Sequence, residues 1–250
     1  MSSITAVVLA AGASERMGEP KLLLPYRGST VLNATISAVE SSAVDRIVVV
    51  TGFGADRIEA SLELLTASSP SSSPSVPSSP SGGGADGGGG GGQRGRQSPV
   101  AGRQPEEPSP SPEGREGRKH RMIVVRNPDY RRGNMSSLLT ATAADSRAEA
   151  FVVVPGDLPT IRTDVIDSMI DIWIEERPWA AVTEYSNRIA HPFLMSSAAV
   201  ESMGELTGEK VLGRLLVESY DARILRLRVP YGPPRDMNTP DDYEALLTDM

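Results

Sequence analysis

Residues 4–12 read Ile4-Thr5-Ala6-Val7-Val8-Leu9-Ala10-Ala11-Gly12, and the chain continues Ala13-Ser14-Glu15-Arg16-Met17-Gly18-Glu19-Pro20-Lys21-Leu22-Leu23. A short, nearly all-apolar run closed by Ala-Gly predicts a strand, Ile4 to Ala10, buried on both faces. The glycine-rich turn behind it lets backbone N–H groups approach an anion, because small side chains leave the path open. Arg16 and Lys21 then bring two positive charges onto the same loop. A buried strand feeding such a loop predicts an α/β fold whose ligand sits beyond the strand's carboxyl end.

The rest of the chain fits that expectation. Ser29 or Thr30 caps a helix bearing Leu32, Ile36 and Val39 at helical spacing. Ile47 to Thr51 reads as a second buried strand, and Asp56 to Leu65 as a helix with Ile58, Leu62 and Leu65 on one side. Met122 to Arg126 is a third strand, with a turn at Asn127-Pro128-Asp129 and a helix from Ser136 to Ala144. Phe151 to Val154 is a fourth strand, and Asp164 to Glu176 an amphipathic helix. Strands near Ala180 to Thr183 and Ile224 to Val229 follow, then a closing helix over Pro240 to Leu247. Strands alternating with helices predict a doubly wound, parallel sheet.

Residues 66–119 break the pattern. They are mostly Ser, Pro and Gly, including the run Gly87 to Gly92, and almost lack large apolar residues. Such a stretch buries too little surface to offset its ordering entropy, which predicts a disordered insertion. It joins a helix end to a strand start, so it is expected at the rim opposite the strands' carboxyl ends. The ordered part, 1–65 and 120–250, is then one domain of roughly 200 residues.

Composition narrows the chemistry. The formal charge is −7, and the insertion carries six Lys/Arg against five Asp/Glu, leaving the body at about −8. A net-acidic body with no basic run argues against nucleic acid as a partner. The absence of cysteine excludes disulfides, thiolate metals and Cys nucleophiles. His120 and His191 are the two histidines, far apart in sequence, so a functional metal is expected to be hard and oxygen-bound, such as Mg²⁺. Ile4 to Ala11 is apolar but short and lacks a positive flank, so it does not read as a signal peptide, and no stretch is long enough to span a membrane. A cytoplasmic setting is expected.

Three motifs carry the chemistry. In the first, the loop after the first strand offers backbone N–H groups while Arg16 and Lys21 stabilise the charge that builds on phosphates when a pyrophosphate departs. It is neither a Walker A loop nor a dinucleotide fingerprint. In the second, Pro155-Gly156-Asp157-Leu158-Pro159, an aspartate leaves a buried strand toward the ligand crevice, where it suits Mg²⁺. In the third, Asp236-Met237-Asn238-Thr239-Pro240-Asp241-Asp242, Thr239 and Pro240 start a helix, with the acids near the positive end of its dipole. Asp236 and Asn238 then stand as two oxygen donors on one side of an extended segment.

Leu9 to Leu24 resembles the signature of the molybdenum-cofactor nucleotidyltransferases and their sugar-nucleotide relatives. The resemblance extends over nearly the whole chain outside residues 66–119. It implies a single Rossmann-like, GT-A-like three-layer domain with a mostly parallel sheet. It also implies that Leu9, Ala10, Ala11 and Gly12 wrap the triphosphate while Arg16 and Lys21 contact it. Pro155-Gly156-Asp157-Leu158-Pro159 is similar to the family's metal-binding Gly-Asp-Met/Leu-Pro; on that likeness Asn238 is the second protein ligand and Asp236 assists it. Gly133-Asn134-Met135-Ser136-Ser137-Leu138 resembles a cytidylyltransferase turn near the nucleotide, which implicates Ser136 and Ser137. His191-Pro192-Phe193-Leu194, followed by Leu206-Thr207-Gly208-Glu209-Lys210, resembles that branch's acceptor-side segment, with His191 touching the acceptor. Asn238 stands where the cytidylyl branch has Asp and the guanylyl branch has Asn. The activity implied is Mg²⁺-dependent transfer of CMP from CTP to a phosphorylated small molecule, molybdopterin by analogy, with release of pyrophosphate. A protein that transiently receives the cofactor product is the further partner implied. Three alternatives stay open: the same chemistry with GTP or another acceptor, a non-catalytic cofactor carrier, and an oxidoreductase acting on an N-heterocycle.

Overall fold

The strand read over Ile4–Ala10 forms over those residues (β1), and it lies in the middle of the sheet rather than at an edge. The structure is a computed structural model that describes residues 3–12, 20–67, 121–186, 188–204, 216 and 223–248. The expected insertion therefore falls outside the described residues, except for Thr66 and Ala67. The chain divides into two units: residues 1–68 with 118–250, which carry the sheet and its helices, and residues 69–117.

The elements follow in order. A two-strand hairpin, β2 (Pro25–Tyr26) and β3 (Ser29–Thr30), leads into α1 (Val31–Glu40), β4 (Arg46–Thr51) and α2 (Ala55–Ala67). Then come β5 (Arg121–Arg126), α3 (Asn134–Ala144), β6 (Ala150–Pro155), α4 (Thr163–Glu176), β7 (Ala180–Glu184), β8 (Ile189–Ser196), α5 (Ser197–Met203), β9 (Ile224–Arg228) and a closing helix, Pro240–Thr248. The seven-stranded sheet has the order β5-β4-β1-β6-β8-β7-β9. All strands run parallel except β8, which pairs antiparallel with both β6 and β7.

The strand alternation explains the layers. Ala6, Val8 and Ala10 of β1 point with Val49 and Val152 toward Leu32, Ile36 and Val39 of α1, Ile58 of α2 and Ile166 and Met169 of α4. Val7, Val48, Val50 and Val153 point the other way, onto Met135 and Leu138 of α3 and Ala199 and Val200 of α5. Both faces are thus covered, which is why these strands are apolar at every position rather than every second one. No helix among the described residues is long and apolar enough to cross a membrane.

At the amino ends of the strands, Asp145 is buried. The Thr5 hydroxyl donates to Asp145 Oδ2 at 2.6 Å, and Arg46 donates to Oδ1 at 2.6 Å. One carboxylate thereby ties β1, β4 and the end of α3 together. β5 begins on this rim, with Arg121 opposite Arg46, the first residue of β4.

At the opposite rim, β1 sits where the chain order reverses, with β4 on one side and β6 on the other, the position at which open sheets leave a crevice. The loops after β1, β4 and β5 meet there. A methyl group on Gly52 would come within 2.8 Å of both Ala11 Cβ and Tyr130 Cβ and 3.0 Å of the Ala11 carbonyl. Gly52→Ala is therefore expected to cost about 1–3 kcal/mol through overpacking. Urea unfolding checks this, and a variant as stable as the wild type would show that the three loops yield easily.

Candidate active site

The site is built from the ends of β1 and β6 and from the segment that precedes the closing helix. Leu22 and Leu24 turn inward, and the single 3-10 turn Lys21–Leu23 between the loop and β2 leaves Lys21 aimed at the crevice. Its ammonium donates to Asp157 Oδ2, to the Met237 carbonyl at 2.7 Å and to Asn238 Oδ1 at 3.4 Å. Three segments distant in sequence therefore converge on one nitrogen. The Lys21 and Asp157 side chains are each 15% exposed, so their charges meet in a partly dry setting where the attraction exceeds that of a surface pair.

Each partner is fixed from behind. The chain leaves β6 through Gly156, whose N–H donates to the Leu9 carbonyl at 2.9 Å and whose carbonyl accepts from Thr35 Oγ1 at 3.1 Å. A methyl there would lie 2.9 Å from Leu32 Cδ1 and 3.1 Å from the Leu9 carbonyl, so a side chain at this position would press on the end of β1 and on α1. Met237 is buried in a satellite core with Leu24, Tyr26, Val31 and Leu246, which holds its carbonyl against Lys21. Thr239 and Asp242 form a reciprocal capping box. Asp242 N–H donates to Thr239 Oγ1 at 3.2 Å, while the Asp242 carboxylate accepts from the N–H groups of Thr239 (2.8 Å) and Asn238 (3.0 Å). The Thr239 hydrogen bond, with help from the Asn238 amide, holds the Asp242 carboxyl below the usual carboxylate range. Asp236 Oδ2 accepts from Asn238 Nδ2 at 2.9 Å, which turns the amide so that its oxygen faces Lys21. Asp236 also lies 3.6 Å from the Arg188 guanidinium.

The remaining residues singled out from sequence occupy varied positions. Arg16 lies outside the described residues, as does the segment 206–210. Leu9 and Ala10 end β1, the Ala10 side chain in the core, and the Ala11 carbonyl accepts from Phe53 N–H at 3.3 Å. Among the described residues, a side chain at Gly12 would meet nothing within 4 Å. Ser136 and Ser137, at the amino end of α3, are joined by Asn127, whose Nδ2 donates to their hydroxyls at 2.9 and 3.0 Å. Ser137 is buried, so its hydroxyl braces this turn from inside.

His191 stands on β8 with its ring on Phe193, centroids 4.0 Å apart, and Nδ1 3.2 Å from the Val153 carbonyl. That carbonyl can only accept, so the proton belongs on Nδ1. Burial pushes the imidazole down to about 4, against the opposing pull of the Val153 carbonyl and the Asp236 carboxylate. Between that value and the ordinary 6.5, the unfolded chain binds a proton that the folded one does not, so stability falls as pH falls through this window. Going from pH 7 to 5 is expected to cost on the order of 1–2 kcal/mol, and His191→Gln to remove that slope. Urea midpoints at the two pH values check this; equal slopes in wild type and variant would contradict it.

Two contributors are silent or understated in the sequence. The Met237 carbonyl is a backbone group and has no residue signature. Asp242 does more than meet the helix dipole, and the spacing Thr239 to Asp242 carries the capping-box pattern that could have shown it.

Known proteins resemble this chain over nearly its whole length. The chain is 22% identical over 248 residues to the molybdenum cofactor cytidylyltransferase of Escherichia coli (strain K12), covering 97% of this chain and 95% of that one. A crystal structure of the Rv0371c homologue from Mycobacterium sp. strain JC1 superposes with a TM-score of 0.66 at 28% identity, covering 98% and 96% of the two chains. Rv0371c of Mycobacterium tuberculosis H37Rv, solved in complex with manganese, gives 0.65 at 23% identity over 100% of both. Residues 6–83 and 103–223 match the MobA-like NTP transferase domain. The protein belongs to that family and is an enzyme of the nucleotidyltransferase type.

Proposed function

We propose that this enzyme transfers CMP from CTP to a phosphorylated small molecule, molybdopterin or its molybdenum-bearing form, and releases pyrophosphate. The observation that carries the reading is the convergence of Lys21, Asp157 and Asn238 beyond the adjoining ends of β1 and β6. The likeness to the Escherichia coli cytidylyltransferase over almost the whole chain supports the nucleotide and the acceptor. A cytoplasmic setting belongs to the same proposal, as does a protein that takes the product over.

The donors suit Mg²⁺. Asp157 and Asn238 already direct one carboxylate and one carboxamide oxygen at a single cation, the Lys21 ammonium. Among the described residues no group of three or more His, Cys, Asp or Glu stands ready to hold a metal, so two protein oxygens would act with substrate phosphates and water, the usual Mg²⁺ arrangement. The manganese complex of Rv0371c is consistent with a divalent ion on this fold. When bound, the metal supplies orientation of the triphosphate and neutralisation of its charge.

The protein's own groups do the rest. The loop N–H groups and Gly12 cradle the phosphates, and Arg16 and Lys21 neutralise the pyrophosphate as it leaves. The acceptor's phosphate oxygen attacks the α-phosphorus in line; one P–O bond forms as the α–β bridge breaks. That nucleophile is already ionised, so no general base is needed. Asp236 holds the Asn238 amide in register, and His191, neutral at pH 7, meets the acceptor without adding charge.

Pyrophosphate release measured with CTP, GTP and ATP, Mg²⁺ and molybdopterin tests the reading. Release with CTP alone is expected. Release with GTP alone would transfer the assignment to guanylyl transfer, the preference that Asn238 shares, and none with any nucleotide would discard the molybdopterin acceptor.

A further inference from the structure

A cavity of about 220 Å³ lies at the carboxyl rim, walled by the β2–β3 turn, the loop after β6, the end of β7, residues 232–235 and the closing helix. Three guanidinium-bearing residues line it: Arg27, Arg162 and Arg235. Among its described lining residues there is no Asp or Glu. Arg162 is paired with Asp164 at 2.5 and 3.0 Å and lies over the Tyr231 ring at 4.4 Å, which fixes its plane. Arg27 sits in the hairpin turn at φ 48, above the Tyr26 ring. Asp164 meets the charge of Arg162, and Arg27 and Arg235 bring two further guanidiniums to the same hollow on a chain whose overall charge is −7.

Part of the remaining wall is apolar and flat. Tyr185 presents its ring, because its hydroxyl is spent on the His191 carbonyl at 2.8 Å and burial keeps it a neutral phenol. Pro233, Pro234 and Leu246 close the hollow. The cavity also shares two segments with the catalytic centre. Thr160, three residues after Asp157, accepts from the Arg235 N–H at 3.0 Å, and Arg235 directly precedes Asp236.

We propose that this cavity binds a small phosphomonoester with a flat apolar body, the phosphate held by Arg27 and Arg235 beside the fixed plane of Arg162. Guanidinium groups suit a phosphate because their paired N–H donors match its oxygens. The aromatic and proline walls give a ring something to lie against, which inorganic phosphate would not use. The source of the ligand, the phosphorylated acceptor of the transfer reaction, rests on the function proposed above; the cavity's chemistry does not.

The test titrates the full chain with phenyl phosphate and with inorganic phosphate by calorimetry. Wild type, Arg27→Gln/Arg235→Gln and Lys21→Met are compared, with circular dichroism to confirm folding. Phenyl phosphate is expected to bind at least fivefold more tightly than inorganic phosphate. The double variant, which removes both phosphate-holding guanidiniums, should weaken it at least tenfold, since each charge-assisted contact is worth about that much. Lys21→Met should change it less than twofold. Equal binding by wild type and double variant, or loss of all binding in Lys21→Met, overturns the proposal. In turnover, the double variant is expected to raise the KM for molybdopterin about tenfold with the KM for CTP unchanged; an unchanged molybdopterin KM overturns the acceptor as the ligand. If the wild type releases no pyrophosphate with any nucleotide while phenyl phosphate still depends on Arg27 and Arg235, the proposed reaction falls and the cavity stands.

Discussion

Asp157→Asn is expected to lower pyrophosphate release by on the order of a hundredfold or more in a protein that still folds, as circular dichroism would show. The substitution keeps the shape of the side chain and an oxygen for Lys21 to donate to, and it removes only the charge. Because Gly156 fixes the backbone through the Leu9 carbonyl and Thr35, the chain should leave β6 along the same path. What disappears is a full negative charge beside Lys21, where Met237 and Asn238 offer only a backbone carbonyl and an amide. A divalent ion bound there as proposed would lose most of its attraction to the site. Steady-state release with saturating nucleotide and metal checks this. Turnover within threefold of wild type would remove Asp157 from the centre and leave it as a turn residue.

Asp145→Ala should be the most damaging change to stability, at about 3 kcal/mol, toward the lower end for breaking a buried ion pair because Arg46 keeps some contact with water. The Thr5 hydroxyl is fully buried and would lose its acceptor, and the Arg46 guanidinium its counter-charge. For a domain of this size that is roughly 6–12 °C in the unfolding midpoint. Asp145→Asn, which can still accept from Thr5, is expected to lose less. Urea unfolding with an unchanged slope would confirm a folded-state effect. A loss below about 1 kcal/mol in the alanine variant would mean that water replaces the carboxylate.

The two ends of the molecule differ in how openly the sequence displays them. β1, β4 and β6 were legible because strands buried on both faces must be apolar throughout, and the helices because Leu32, Ile36 and Val39, or Val165, Ile166 and Met169, recur at helical spacing. Asp157 was legible because position follows from topology: a residue just past a central parallel strand lies in the crevice. β8 was not. Pro192-Phe193-Leu194-Met195 is as apolar as its neighbours, and nothing local records that it runs against them between β6 and β7. The hairpin at Tyr26-Arg27-Gly28-Ser29 was hidden by its two-residue strands. The partners of Lys21 lie 136, 216 and 217 residues away, and the three arginines of the cavity come from three separate segments. Such groupings arise only when the chain closes, so no window of sequence contains them.

The contact at Gly52 limits how this enzyme could be altered. A side chain at Gly52 would meet Ala11 and Tyr130 at once, so the backbone beneath the proposed nucleotide site cannot be reshaped at Gly52 alone. A library that varies Gly52 alone should return mostly destabilised proteins, whatever nucleotide it is screened on. Phe53, by contrast, is 42% exposed and tilted against the Tyr130 ring. Changes in nucleotide preference are more readily reached through side chains standing on the junction than through the junction itself: the floor is fixed, and its furniture is exchangeable.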